Sequence, residues 1–511
     1  MNKVRVRFAP SPTGGLHLGG VRTVLYNYLF AKHHGGDFIL RIEDTDQSRF
    51  VKGAEEYIFE TLAWCGIEPD ESPKHGGPFA PYRQSERKEI YKKYALELID
   101  KGFAYYAFDT AEELDNLRNS LRSAENPSPQ YDRTIRDKMR NSLTLPAADV
   151  QALLASNTPH VVRIKMPENE TVSFTDMIRG EVSFETSVID DKVLLKADGM
   201  PTYHLAVVVD DHLMEISHAF RGEEWLPSAP VHVLLWRYLF GLDAMPQWAH
   251  LPLILGPNGK LSKRDGATYG FPVFGATWTD PKTGELTDGF REKGFLPQAF
   301  INLLAMLGWN DGTEQEIFSL DELVQKFSIE QVHKGGAKFD YEKAKWYNHE
   351  WIKKLDVSGY SDHVKGIFKE RGAVIADDIY FEKVLHIVKD RCTLLTEFWE
   401  HSYFFFKAPA EWDTVAIKAK WNESKRDFFI LFAKAISSIS DWSPSSIEAL
   451  FKQLAAQAEI KPGELQLPFR IMLVGGKFGP PVFDIAAILG KEETSERILA
   501  ALPMMLTDIA D

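Results

Sequence analysis

The chain has 511 residues, 44% of them hydrophobic, so it can bury several cores, and its length predicts roughly two to four domains. Its two cysteines, Cys65 and Cys392, are too few for a disulfide scaffold or a thiolate metal site, and both read as small buried hydrophobes. A net charge of −14 does not favour a nucleic-acid partner but leaves one open, because local basic surface decides and not the sum.

In chain order, residues 3–8 (KVRVRF) alternate polar and apolar and predict a strand. No apolar signal region precedes it, and no later run approaches the ~20 apolar residues of a membrane span, so a soluble cytoplasmic chain is expected. The stretch RFAPSPTGGLHLGGVR, from Arg7 to Arg22, then holds two prolines, four glycines and one histidine. A plain turn needs one or two glycines, so close approach of a ligand to this backbone is expected. Val21, Val24, Leu25, Tyr28 and Leu29 share one helix face, which Gly35-Gly36 terminates. FILRIEDTD reads as a buried strand ending in acids, and the β–loop–α–β order opens a parallel α/β domain. Residues 84–101 and 110–122 read as helices, the second with a Thr110/Glu113 capping box and with Leu114, Leu117 and Leu121 on one face. The segment 103–190 mixes short strands, helices and loops such as ENPSPQYD, and reads as an insertion. YHLAVVVDD (203–211) reads as the return of the parallel sheet. A second glycine-rich loop, LGPNGKLSKRDGATYG, begins near 255, and the turn-rich segment 275–292 reads as a flexible hairpin. From about 318 the period is helical, as in FFILFAKAISSISDW and SIEALFKQLAAQA, with no strand-rich stretch.

Two constellations carry chemistry. Strand–APSPTGGLHLGG–helix places glycine-freed N–H groups at a helix N-terminus, which is an anion site, with His17 able to donate to a phosphate oxygen. It matches neither the P-loop nor the dinucleotide fingerprint, and alone it also fits a glycine-rich turn with a surface histidine. GKLSKRDG sets Lys260, Lys263 and Arg264 between glycines, which suits a polyphosphate whose charge moves during reaction. Alone, it also fits a solvated basic loop.

Together, with HxGG near the N-terminus and KLSKR about 240 residues later, the pair resembles class I aminoacyl-tRNA synthetases. RFAPSPTGGLHLGG, RIEDTD, PYRQSER, DGMPTYHLAVVVDDHL and RGEEWL, in that order, are similar to the glutamyl-tRNA synthetase family of the bacterial type. The resemblance is dense over residues 1 to about 330 and architectural beyond. Two departures from the class motifs, Gly20 for a histidine and Arg264 for a serine, are familiar in the glutamyl and glutaminyl branch. Where some relatives carry a zinc-binding Cys-x-Cys, this chain has Ala107 and Asp109, so no zinc is expected.

The resemblance implies an α/β fold: a Rossmann-like parallel-sheet catalytic domain with an α+β insertion, followed by an all-α anticodon-binding region. Its expected parts are 1–102 and 191–265 for the catalytic halves, 103–190 for an acceptor-end-binding insertion, 266–335 for stem contact and 336–511 for the helical domain. It implies ATP-dependent ligation of L-glutamate to tRNA(Glu) through a glutamyl-adenylate, with Mg²⁺ accompanying ATP and activation requiring bound tRNA. His17, Lys260 and Lys263 are the expected catalytic groups. ATP would meet His17, Gly19, Gly20, Glu224, Leu253, Ile254, Lys260, Leu261, Ser262, Lys263 and Arg264. Glutamate would meet Arg7, through its side-chain carboxylate, together with Ala9, Ser11, Tyr203 and Arg221, while Glu43 takes the ammonium. Asp44 and Asp46 read as structural, and His204 and His212 as hydrogen-bonding residues. RTIRDKMR (133–140) would supply cations to the acceptor end. Arg391 matches a position where arginine favours cytosine as third anticodon base, which implies an enzyme that charges only tRNA(Glu). A monomer is expected. The alternatives are a glutamyl transferase that modifies an anticodon base, a ligase that also charges tRNA(Gln) with glutamate, a non-enzymatic RNA-binding relative, and another adenylate-forming nucleotidyltransferase of the same fold.

Overall fold

A computed structural model describes residues 3–124, 127 and 129–505. Residues 125, 126 and 128 of the ENPSPQYD stretch and 506–511 of the expected helical domain lie outside the described residues. The chain divides into two compact units, Met1–Glu292 with Phe300–Tyr341, and Lys293–Ala299 with Glu342–Asp511.

The first unit is built on a six-stranded sheet. Its spatial order is Asp37–Leu40, Arg5–Phe8, His218–Gly222, Gln247–Leu251, Thr171–Asp176, Gly180–Glu185. Every neighbouring pair is parallel except the last, a hairpin. Strand Arg5–Phe8 is the predicted one, but all four residues are buried, so its alternation does not mark a wet face. Arg5 instead pairs with Asp37 at 2.9 Å and Glu71 at 2.7 Å. From this strand the chain steps to Asp37–Leu40 on one side, while His218–Gly222 lies on the other. The sheet therefore has a topological switch point at Arg5–Phe8, where a crevice opens beyond the carboxyl ends of the strands.

Helix Leu18–His33 makes the first crossover, and Val21, Val24, Leu25 and Leu29 of its predicted face are fully buried. Residues 84–87 form a 3₁₀ turn that leads into helix Lys88–Asp100, and Thr110 and Glu113 cap helix Ala111–Leu121 as expected. The expected strand at 203–211 is instead helix Tyr203–Leu213. A continuous apolar run bounded by proline fits a buried strand or a helix buried all round, and eleven residues is helix length. Within 103–190, strands Ala104–Ala107 and Val161–Ile164 join Val193–Leu195 in a separate antiparallel sheet, while the 171–185 hairpin extends the main one. Ala107 is a buried strand residue, and Asp109 accepts hydrogen bonds from Tyr131 Oη and the Arg140 N–H. Of the cations at 133–140, Arg136 is buried on Asp191 at 2.6 Å, while Arg133 and Arg140 pair with Glu168 and Glu113. Arg136 is thus a core residue and not a surface cation. Segment 275–292 holds the short hairpin Trp278–Thr279 with Leu286–Thr287.

The second unit is helical, and among the described residues beyond 341 there is no strand. Helices Glu423–Ala435, Pro444–Gln457, Pro462–Val474, Val482–Leu489 and Lys491–Ala501 enclose a core rich in phenylalanine: Phe428, Phe429, Phe432, Phe451, Phe469 and Phe483.

Candidate active site

A cavity of about 770 Å³ opens at the switch point. Arg7 and Ala9 approach it from the end of the first strand, Arg221 from the end of His218–Gly222, and Glu43 from just beyond Asp37–Leu40. Ser11, His17, Gly19, Gly20, Tyr203, Glu224, Leu253, Ile254, Lys260 and Leu261 complete the sequence-predicted residues on its wall. Ser262, Lys263 and Arg264 do not line it; all three are exposed beside it. Ser262 caps helix Lys263–Tyr269 in a reciprocal pair with Asp265, so its hydroxyl is engaged there.

His17 is the N-cap of helix Leu18–His33, and its Nδ1 accepts the Gly19 N–H at 3.4 Å. The ring proton therefore sits on Nε2, which is buried without a protein partner. Burial, and then the nearby Lys260 and Lys263 charges, push His17 down to about 4, so the imidazole is neutral at physiological pH. A neutral Nε2–H beside the positive end of a helix is a donor for an anionic oxygen. Among the described residues, and apart from its chain neighbours and its own helix backbone, nothing lies within 4 Å of where a Gly19 side chain would begin, whereas a Cβ on Gly20 would meet Leu16 Cδ1 at 2.6 Å. Lys260 pairs with Glu224 at 2.9 Å, both exposed, and Lys263 Nζ lies 5.0 Å from the Phe274 ring centroid. Glu223 is turned away from these groups, onto Arg179 and the Leu253 N–H.

The opposite end of the cavity is ionic. Arg7 grips Asp211 with Nε and Nη2, each at 3.1 Å. Arg41, fully buried, reaches Asp211 at 2.8 Å, Glu43 at 3.3 Å and Asp210 at 3.7 Å. Arg87 binds Asp210 from behind at 2.8 Å. Burial raises Glu43 to about 7, although Arg41 and Arg7 pull it the other way. Arg221 donates from Nη1 to Tyr203 Oη at 3.0 Å and from Nε to His250 Nε2 at 2.9 Å, while its Nη2 is buried without a partner. Asp44 is held by Ser85 and Asp46 by Ser48 and Arg49, both within loop structure. His204 bonds His232, and His212 stacks on Phe240.

Sequence reasoning missed Arg41, Asp210, Asp211, His250 and Asp176. The first three lie inside RIEDTD and VVVDDHL, where paired opposite charges in otherwise apolar runs were the available signal. Asp176 and His250 are 74 positions apart, and no local pattern joins them. In the second unit Arg391 is exposed at the end of the 3₁₀ turn Lys389–Arg391. It is close enough to Arg470 to add to the burial that lowers that group.

Residues 3–346 match the family tRNA synthetases class I (E and Q), catalytic domain, and residues 341–502 match Anticodon binding domain. The chain is 53% identical to the glutamate–tRNA ligase of Flavobacterium psychrophilum, over 98% of this chain and 99% of that one. It is 52% identical to the glutamate–tRNA ligase of Phocaeicola vulgatus at the same coverage, 98% and 99%. The crystal structure of a glutamate tRNA ligase from Elizabethkingia meningosepticum in complex with its amino acid superposes with a TM-score of 0.93 at 47% identity, covering 99% of this chain and 100% of that one. Glutamate-tRNA synthetase from Elizabethkingia anophelis superposes at 0.90 with 48% identity, covering 98% and 100%. With both of its halves matched in order and near-complete relatives at about half identity, the chain belongs to the class I tRNA synthetases of the E and Q family.

Proposed function

We propose that this chain ligates L-glutamate to the 3′ end of tRNA(Glu) in two steps, through a glutamyl-adenylate, consuming ATP. The observation that carries the reading is one cavity whose wall joins two chemically different sets of groups. Its wall carries a neutral histidine, a helix N-terminus and Lys260, with Lys263 and Arg264 exposed beside it, and also two guanidinium groups with one carboxyl.

In the first step the glutamate α-carboxylate attacks the ATP α-phosphorus and pyrophosphate leaves. In the second, the 2′-hydroxyl of the terminal adenosine attacks the acyl carbon and AMP leaves. No enzyme nucleophile is needed, and catalysis is positioning plus stabilisation of charge on phosphate. His17 Nε2–H and the helix N-terminus receive phosphate oxygens, and Gly19 leaves room for the nucleotide against the backbone. Lys263, held loosely on Phe274, and Lys260 follow the β- and γ-phosphates, with Arg264 and the Ser262 N-cap beside them. Glu224 contacts the ribose, while Leu253, Ile254 and Leu261 give the base an apolar wall. Mg²⁺ would accompany ATP, carried on phosphate oxygens and water, where it would shield their charge. Arg7 and Arg221 receive the substrate carboxylates, Glu43 the ammonium, and Tyr203, Ala9 and Ser11 shape the pocket.

The helical second unit, with an exposed arginine at 391, fits recognition of an anticodon and argues against a transferase that modifies one. No described helix is long and apolar enough to cross a membrane. The family resemblance supports the reading of a monomer acting on tRNA in the cytoplasm. The deciding experiment is aminoacylation of purified glutamate and glutamine tRNAs, offered glutamate and then glutamine. Glutamate on tRNA(Glu) alone is expected. Charging with glutamine would overturn the amino-acid assignment, and glutamate on tRNA(Gln) would overturn the discriminating one.

A further inference from the structure

Behind Arg221 lies a chain of buried ionisable side chains that touches neither the nucleotide end nor the ammonium site. Asp176, His232 and His250 are 2%, 1% and 0% exposed, and Arg221 is 7%. Arg221 donates Nε–H to His250 Nε2 at 2.9 Å, and His250 Nδ1 lies 2.6 Å from Asp176 Oδ2. Arg221 Nη1 reaches His232 Nδ1 at 3.3 Å, and His232 Nε2 lies 3.2 Å from His204 Nδ1. The guanidinium plane also covers Trp248, 4.9 Å from the ring centroid.

A guanidinium is always charged and only donates, so each of its contacts dictates a proton position. His250 Nε2 must be bare to accept Arg221 Nε–H, which puts the ring proton on Nδ1 and aims it at Asp176. Asp176 has no freedom to turn: Oδ1 accepts the Ile178 and Arg179 N–H groups, each at 2.9 Å, and Oδ2 also accepts the His250 N–H at 3.1 Å. Burial keeps His250 neutral, and, against the pull of burial, the His250 and backbone hydrogen bonds keep Asp176 ionised. The same logic makes His232 the Nε2–H tautomer. Of the Arg221 nitrogens only Nη2 has no protein partner.

We propose that Asp176 and His250 are positioning residues for Arg221: the carboxylate selects one histidine tautomer, and that tautomer fixes the guanidinium so that Nη2 is left to a substrate carboxylate. The inference rests on the reading of Arg221 as a glutamate partner. Neither residue touches the reacting atoms, and both act through the arginine.

The test is steady-state aminoacylation with tRNA(Glu) present, with KM for glutamate and for ATP measured separately and thermal melting recorded for each variant. His250→Phe keeps a ring and removes the acceptor; it should raise the glutamate KM by roughly 10- to 100-fold and leave the ATP KM within about twofold. His250→Gln restores an acceptor near the Nε2 position and should recover most of the loss. Asp176→Asn keeps the shape; with its carbonyl on the Ile178 and Arg179 N–H groups, its amide faces the ring and drives the proton to Nε2, donor against donor, so it should behave like His250→Phe. If His250→Phe fails to fold, the comparison of His250→Gln with Asp176→Asn carries the test. Equal rises in both KM values, or none in either, would overturn the positioning role. Arg221→Lys separates the two layers: an unchanged glutamate KM there removes the reading of Arg221 itself. A raised KM there, with His250→Phe at wild-type values, removes only the role of the pair behind it.

Discussion

At Arg7 two nitrogens already hold Asp211, so the residue has a structural duty as well as its proposed substrate one. It belongs to a network of three guanidinium groups, Arg7, Arg41 and Arg87, against Asp210, Asp211 and Glu43. Arg7→Gln leaves Asp211 short of a cation, and breaking a buried pair costs about 3–5 kcal/mol. That variant should melt earlier and lose glutamate affinity; wild-type affinity at a lowered Tm would assign the substrate carboxylate to Arg221 alone. Glu43 gives a pH prediction. Its carboxyl is raised to about 7 chiefly by burial, and only the ionised form attracts an ammonium. As pH falls through about 7 the group gains its proton, so the glutamate KM should rise, and it should level off above that. Glu43→Gln should show a raised KM without that inflection; an unchanged inflection would assign it to another group. Lys263 stands outside the cavity wall, over Phe274, where it can move to a phosphate. Lys263→Ala should cut adenylate formation by about 10²–10³ while glutamate binding, followed by calorimetry, stays near wild type.

At the scale of elements, the 275–292 segment is more than a surface hairpin. Trp278 is 6% exposed and packs edge-on to Tyr57, with its Cγ only 2.9 Å from where a Gly15 Cβ would stand. Phe274, just before it, lies edge-on to His17 and under Lys263. The segment therefore braces the glycine-rich loop from below, and Gly15 is small because Trp278 is there. Trp278→Ala should cost about 3–5 kcal/mol in chemical denaturation and raise the ATP KM more than the glutamate KM. The elements also show what could be read in advance. The first strand, its crossover helix and the Thr110 cap follow from local periodicity and capping chemistry, which act within a few residues. Residues 203–211 read as a strand in the sequence because burial on nearly all sides of helix Tyr203–Leu213 erases the polar face that would reveal its period. Several cavity residues, such as Ala9, Ser11, His17 and Leu261, lie in glycine- or lysine-marked loops, and such loops announce themselves. His250 and Asp176 are neighbours only through the pairing of Gln247–Leu251 with Thr171–Asp176, a tertiary fact with no local trace.

At the scale of the whole molecule, each unit has the surface its proposed task requires in spite of the −14 net charge. In the first, Arg7, Arg221 and Lys260 line one cavity, with Lys263 and Arg264 exposed beside it. In the second, Arg391 is exposed and electrostatically coupled to Arg470, whose Nη1 is fixed by the Phe478 and Gly479 carbonyls. Arg391→Gln should narrow the preference for cytosine over uracil at the third anticodon position by about tenfold, measured as the ratio of kcat/KM for two tRNA(Glu) transcripts. An unchanged ratio would return Arg391 to an ordinary surface role.

The helix at 203–213 also works as a gauge. Tyr203, at its first turn, steadies Arg221, and Asp211, near its end, steadies Arg7. Eight residues of α-helix advance about 12 Å, whereas the same eight in a strand would advance about 26 Å. The two arginines stand on neighbouring strands, and the spacing of the helical partners that orient them is set by rigid helical pitch and not by a loop. On the reading of Arg7 and Arg221 as the glutamate partners, any change in the pitch of these two turns would be felt at both guanidinium groups, whereas a change in a surface loop would not.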